Sequence, residues 1–157
     1  MEITRHTDYA IRMLLSLARA PEGQPLSARE LGRMLDVPYA FARGIASKLV
    51  RAGFATSRRG GGGGVVLARP ANEITVLSVI ESTEGNVGLG LCTHHPDYCH
   101  RVDGCAMHQV WMEAEAQLRT FLAARTIADL VTGPSMPSPL RGFPRSVAGD
   151  KEVAPMR

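Results

Sequence analysis

The chain has 157 residues, 45% of them apolar, and a formal net charge of +3. That length suits one domain with a tail, and no apolar run approaches the roughly 18–20 residues of a membrane span. The opening MEITRHTDYA lacks the apolar core of a secretion signal, so a cytoplasmic protein with no membrane partner is expected. The charge is uneven. Residues 1–70 hold eleven Lys/Arg against five Asp/Glu, and residues 71–157 hold seven against ten. A basic N-terminal half favours a polyanion such as nucleic acid; a solvated basic surface is the plainer reading.

Residues 7–20 read as a helix, because Ile11, Leu14, Leu15 and Ala18 recur on one face. Pro21, Gly23 and Pro25 then break the chain. Ser27 to Glu30 is a capping box, S-x-x-E, opening a second helix with Ala28, Leu31, Met34 and Leu35 on its apolar side. Asp36-Val37 is a short turn. Pro38 suits the first position of a third helix that runs to about Ala52, with Gly53 as its C-terminal cap. Phe41, Ile45 and Leu49 form its buried stripe, leaving Tyr39, Ala40, Arg43, Gly44, Ser47 and Lys48 outward. Two short helices joined by a tight turn make a helix-turn-helix, whose second helix reads the major groove. Up to this point an ordinary helical hairpin has the same pattern.

The next segment separates the two. Phe54 to Ser57 suits a strand and Val65 to Leu67 its return, with RRGGGGG, Arg58 to Gly64, between them. Glycine permits a tight turn and close approach to a groove, and the arginines supply charge toward phosphates. A plain flexible hairpin is the alternative. A nucleotide phosphate loop is excluded, since no Gly-Lys-Ser/Thr ending and no following helix is present. Helix-turn-helix plus basic wing gives a mainly α fold: a winged helix-turn-helix domain with a two-stranded wing. Its candidate DNA contacts are Tyr39, Ala40, Arg43, Ser47, Lys48, Arg58, Arg59 and Gly60. Arg43 is placed near guanine edges, and Lys48, Arg58 and Arg59 near phosphates or the minor groove.

A short helix follows within Asn72 to Ser82, with Thr75 as cap and Val76, Val79 and Ile80 buried. Then comes CTHHPDYCHRVDGCAMH, residues 92–108, which holds all three cysteines. Six residues separate Cys92 from Cys99, five separate Cys99 from Cys105, and two separate Cys105 from His108. An odd cysteine count in a reducing compartment disfavours disulfides, and thiolate with imidazole suits zinc or an iron–sulfur cluster. Cys105 and His108 fall one helical turn apart and can reach one metal. The short C-x2-4-C zinc knuckle is absent. An iron–sulfur cluster, a structural zinc and free redox thiols all stand as readings of the spacing alone. His94, His95 and His100 read as solvated residues or supports, with His6 a weaker candidate again. No Cys-x-x-Cys pair or nucleophile elbow argues for an enzyme.

From about Cys105 to Ala124 runs the longest helix, with Met107, Trp111, Ala114, Leu118, Phe121 and Leu122 at spacings of three and four. It either packs on its own domain or serves as a dimerisation helix, the second fitting two half-sites one turn of DNA apart. Thr126 caps a last helix through Val131. Five prolines from Gly133 onward argue for a disordered tail. The division expected is 1–83 for the DNA-binding domain, 84–105 for the cluster-binding loop, 106–132 for the dimerisation and terminal helices, and 133–157 for the tail.

Several stretches in this order resemble the Rrf-two family of bacterial winged-helix regulators. They are TRHTDYAIRML at the start, LGRMLDVPYAF across the turn, LVRAGFATSRRGGGGGVVLARP over the wing, the three-cysteine loop, and TIADLV near residue 131. The resemblance covers residues 1–131 and points to members that hold an iron–sulfur cluster. It implies a homodimeric, cytoplasmic repressor of double-stranded operator DNA, with a 2Fe–2S or 4Fe–4S cluster on Cys92, Cys99 and Cys105 sensing nitric oxide, iron status or redox stress. For the fourth ligand it points two ways. His108 matches cluster-assembly members, and Asp8, in Thr7-Asp8-Tyr9, matches the aspartate with which nitric-oxide-sensing members reach the partner subunit's cluster. The chain departs from the cluster-assembly members in its six-residue first cysteine spacer and in Arg43, where they carry an acidic residue.

Overall fold

The computed structural model describes residues 3–60 and 62–132, so the proline-rich segment read as a tail lies outside the described residues. The first helix, α1, spans Arg5–Arg19, and the Thr4 side chain caps it by accepting from Thr7 N at 3.5 Å. It begins ahead of the apolar repeat, because the cap and first turn carry no stripe residue. Helix α2 spans Ala28–Leu35 behind the expected capping box: Ser27 Oγ accepts from Glu30 N at 3.2 Å, and Ser27 N donates to Glu30 Oε2 at 2.7 Å. Asp36 ends α2 at φ 51°, the left-handed conformation that Asp tolerates better than bulkier residues.

Helix α3 spans Tyr39–Arg51, with Pro38 as its cap residue rather than its first helical residue. Pro38 keeps an extended ψ of 144°, so its fixed φ serves the turn just before the helix. At the other end Gly53 takes φ 73°. Gly53 N donates to Val50 O at 3.1 Å and Phe54 N to Leu49 O at 3.0 Å, the paired bonds of a Schellman ending that only a residue free of Cβ strain closes easily.

The face buried by α2 differs from the expected one. Leu31 and Gly32 are buried, while Met34 is 53% exposed. The reason is close approach: a Cβ on Gly32 would lie 3.1 Å from Val37 O and 3.6 Å from Ala42 Cβ. Helix α3 therefore comes in over Gly32, and this turns Met34 to solvent. On α3 itself Ala42, Ile45 and Leu49 are buried and Phe41 half-buried.

Strands β1, Ala55–Arg58, and β2, Gly64–Leu67, pair antiparallel with Ala55 opposite Leu67 and Arg58 opposite Gly64. The ladder thus runs one residue further into the glycine run than the apolar residues imply. At its base, Leu26 and Val65 exchange backbone bonds of 3.0 and 2.9 Å, joining the wing to the segment before α2.

A 3₁₀ turn, Ala71–Glu73, leads to α4, Val76–Glu84, capped by Thr75. The cysteine segment has more regular backbone than a glycine-flanked loop promises. It contains a helical turn, α5, Leu91–His94, and a 3₁₀ turn at Pro96–Tyr98. Helix α6, Ala106–Ala123, follows directly on Cys105, and α7, Ile127–Val131, begins with a second capping box at Thr126 and Asp129.

The core gathers on α1. Ala10, Met13, Leu14, Leu15 and Leu17 are buried with Leu31, Ile45, Leu49, Phe54, Val79 and Ile127. Ile127 places α7 in this core rather than with α6. A bridge between Thr75 and Thr126, with Val76 N to Arg125 O at 2.8 Å and Ile127 N to Ile74 O at 2.9 Å, brings the chain back to it.

Two glycine substitutions separate packing from propensity. A Cβ on Gly64 would overlap the Leu26 carbonyl, so Gly64→Ala is expected to cost about 1–3 kcal/mol through forced backbone movement. Gly44 lies mid-helix, where an added methyl would meet nothing within 4 Å, so Gly44→Ala should gain about 0.5–1 kcal/mol. Urea midpoints of the two variants that moved in the same direction would contradict this packing.

Candidate DNA-reading face and cysteine cluster

The exposed side of α3 carries Tyr39, Ala40, Arg43, Gly44, Ser47 and Lys48. Helix α1 fixes this helix from behind. Tyr9 meets Phe41 edge-on with ring centroids 5.6 Å apart, and His6 meets Phe41 at 6.0 Å. Arg12 and Arg5 lie over the Tyr9 ring, at 5.5 and 5.9 Å. Among the described residues, Arg43, Lys48 and Arg59 enter no ion pair, so their charge faces solvent. Arg58 differs from the sequence expectation: its guanidinium donates to Gly23 O at 3.1 Å, strapping the wing to the turn between α1 and α2. That leaves Arg59 and Gly60, whose φ is 121°, nearer the wing tip.

The three cysteines are free and half-buried. Cys92 sits in α5. Cys99 and Cys105 are joined by two consecutive tight turns, Val102 N to Cys99 O and Cys105 N to Val102 O, both 3.3 Å. Cys105 then forms the N-cap of α6, so His108 projects from the first turn of that helix. The His108 Nδ1 lies 3.4 Å from Cys92 Sγ, which brings α5 onto the start of α6. A hollow of about 330 Å³ is lined by Val102, Gly104, Cys105, Ala106, His108 and Gln109. At the loop entrance, a Cβ on Gly90 would lie 3.5 Å from Trp111 Cδ1 and 3.6 Å from Cys92 Sγ, so Gly90 lets Trp111 and Cys92 close in from two sides.

Among the described residues, no three His, Cys, Asp or Glu side chains stand together as a complete metal-holding set. What the fold does bring together is one thiol and one imidazole, Cys92 and His108, at the helix end that Cys105 caps, and thiolate and imidazole are ligand types that suit iron–sulfur iron or zinc. Asp8 is not in this group. Its carboxylate pairs with Arg12 Nε at 2.9 Å on α1.

Two further arrangements carry no sequence motif. The first sits where α4 ends. Glu84 Oε1 accepts from Thr4 N at 3.1 Å, from Thr4 Oγ1 at 2.5 Å and from Thr7 Oγ1, and Thr7 Oγ1 also meets Thr83 Oγ1 at 2.6 Å. Burial pulls the Glu84 carboxyl up, but the hydrogen bonds from Thr4 and Thr7, with His6 nearby, hold it below the usual carboxylate range. Burial and the Lys48 charge hold the His6 imidazole below its ordinary value, against the pull of Glu84. The second is on α6, where Glu115 is buried facing His94 and Arg119 reaches Glu81 of α4 at 2.7 Å. One signal did exist for Glu115: at four residues after Trp111 and three before Leu118, it is a charge inside the apolar stripe.

The stripe on α6 is divided. Ala114, Leu118 and Leu122 are half-buried toward the chain's own domain, whereas Met107, Val110, Trp111 and Phe121 remain 39–57% exposed. No helix among the described residues is long and apolar enough to cross a membrane.

A helix-turn-helix, a two-stranded wing and a basic exposed second helix define a winged-helix DNA-binding regulator. Residues 3–133 match the model of the Rrf2 family, described as iron-dependent transcriptional regulators, and the chain belongs to that family. It is a transcriptional regulator and not an enzyme. Solved structures share the fold. The global cysteine regulator CymR of B. subtilis aligns at 21% identity over 83% of this chain and 96% of its own, with a TM-score of 0.72. The oxidised form of Staphylococcus aureus CymR aligns at 22% over 85% and 98%, with a TM-score of 0.68. IscR of T. potens aligns at 21% over 83% and 86%, with a TM-score of 0.67.

The Glu84 contact carries a pH dependence of known sign. The folded chain holds this carboxyl more acidic than the unfolded one, so the contact stabilises fully above the ordinary value of 4.5 and is lost as pH falls through the lower folded value. Glu84→Gln should therefore flatten the acid limb of stability below about pH 4.5. Urea unfolding of both proteins between neutral pH and that acid limb checks it. An unchanged slope would mean the threonine contacts are not made in solution.

Proposed function

We propose that the protein is a homodimeric repressor whose affinity for operator DNA is set by an iron–sulfur cluster held by Cys92, Cys99, Cys105 and His108. The observation that carries this reading is the meeting of Cys92 with His108 at the head of α6, beside Cys105. Family membership among iron-dependent regulators supports the same metal. Asp8 is the alternative fourth ligand, and it would have to leave Arg12 to act. A bound cluster supplies a crosslink that oxidants, nitric oxide or iron loss can remove.

The chain's own residues do the rest. Ligation makes α5, the 99–105 turns and the first turn of α6 one unit. The exposed Met107, Val110, Trp111 and Phe121 then set one α6 against that of a second copy and so fix the separation of two α3 helices. Tyr39, Ala40, Arg43 and Ser47 meet base edges, while Lys48, Arg59 and Gly60 approach the backbone. Arg58 steadies the wing and adds its charge. Shifting such an equilibrium from mostly bound to mostly free takes about 5 kcal/mol of differential stability.

A second reading is favoured by the likeness to CymR, a cysteine regulator also solved in an oxidised form, and by the half-buried position of the three thiols. In it the cysteines respond as thiols without a metal. One sample separates the two, with zinc as a third outcome. Protein purified without oxygen should be brown and carry iron with matching acid-labile sulfide. Colourless protein with zinc, or with no metal, would end the cluster reading and leave DNA binding untouched.

The reading face has its own test. Arg43→Ala should lose about 1–3 kcal/mol on the operator and little on unrelated DNA. Arg59→Ala should weaken binding to every sequence and lower the salt slope by about one. If Arg43→Ala lowered affinity equally for all sequences, its base-reading role would be wrong.

A further inference from the structure

Two polar contacts bear on α6 near the cysteine segment, one from α5 and one from α4. His94 closes α5, two residues beyond Cys92. Its Nε2 points at Glu115 Oε2 across 3.6 Å, and both atoms are shielded from solvent with no hydrogen-bond partner among the described residues. Glu115 is only 8% exposed. Gly88 makes the space for this pair: a Cβ there would overlap the His94 ring. One turn along α6 on the same face, Arg119 holds Glu81 of α4.

A carboxylate taken out of water among apolar neighbours is costly unless a partner meets it, and here the facing partner is His94. Breaking a buried pair by removing one member costs more than the pair itself contributes, because the other is left stranded. The site therefore specifies a position for α5 on α6 even though it adds little stability.

We infer that Glu115 and His94 form a strut that positions the Cys92 turn against α6, making them positioning residues for the cysteine site. Glu115 ties α6 to the cysteine segment, and Arg119, four residues later, ties the same helix to the winged domain. Helix α6 is thus a lever with two adjacent attachments. The Glu115 attachment, together with the His108–Cys92 contact, couples its setting relative to α4 to where α5 sits. This function of the strut rests on the proposed sensing role of the cysteines; its existence does not.

The test uses reduced, metal-free full-length protein, and reads the rate at which iodoacetamide alkylates Cys92 relative to Cys99. Glu115→Ala and His94→Ala should each speed Cys92 on the order of tenfold, and the double variant no more than either alone, as for two members of one contact. Glu115→Gln, which can still meet His94, should restore most of the protection. Gly88→Ala should mimic His94→Ala. Single variants with wild-type rates, or effects that multiply in the double variant, would overturn the strut. Circular dichroism and urea midpoints identify a variant that has merely unfolded, and Glu115→Gln then carries the decision. Because no metal is present, the outcome is independent of the cluster reading. Iron-free protein with a coupled pair would sink the proposed function alone, and iron-loaded protein with uncoupled residues would sink the strut alone.

Discussion

The arrangement depends on a single burial: the apolar face of α1, with Met13 and Leu14 sealed from solvent. Helices α2, α3, α4 and α7 and strand β2 all pack on this one helix. Its N-terminal end is tied to the end of α4 through Thr4, Thr7 and Glu84, and its Tyr9 seats Phe41 of α3. A fully buried Leu or Met side chain contributes about 1.5–3 kcal/mol relative to exposure, so a handful of residues on α1 holds the angle between reading helix and wing. The polar ends of the same helix are then free to serve as joints.

Electrostatics follows the same division. Where the structure needs fixed geometry, charges are met: Asp8 by Arg12 and Glu81 by Arg119, and Glu30 and Asp129 by the backbone and hydroxyl donors of their capping boxes. On the face offered to a polyanion, Arg43, Lys48 and Arg59 stand apart from carboxylates. Unmatched charge at an exposed surface costs the fold little and draws a polyanion in over roughly a Debye length, about 8–10 Å at physiological salt.

Much of this is legible in the residues. The capping box at Ser27 and the glycine ending at Gly53 announce α2 and α3, because those signals are local and chemically specific. The winged helix-turn-helix follows from their order with the glycine run. The departures come from packing between elements. Nothing in ARELGRML reveals that Gly32 is the point of closest approach, so Met34 reads as inward and is outward. Pro38 reads as a helical residue because its φ fits, although its ψ does not. Arg58 has the character of a tip residue, but the fold places the Gly23 carbonyl beside it. At the cysteine segment the residue types are informative, yet spacing alone cannot bring His108 rather than Cys99 or Cys105 against Cys92, since that contact depends on how α5 lies on α6. Contacts such as Glu115 with His94 and Glu84 with Thr4 link residues far apart in sequence, and no periodicity encodes them.

The short bridge between Thr75 and Thr126 bears on how such a protein can change over evolution. Together with the Val76–Arg125 bond it draws the two ends of the intervening segment to one point on the core. Beyond α4, which packs in the core, everything between them, including the cysteines and the long helix, is an excursion closed at its neck. The entropic cost of closing such a loop grows only with the logarithm of its length. Residues can therefore be inserted or removed between Cys92 and Cys105, beyond the buried Val87, with little effect on the winged domain. A one-residue difference in cysteine spacing is then a small step for the fold and a large one for the chemistry, which lets one DNA-binding scaffold carry sensing loops of different construction.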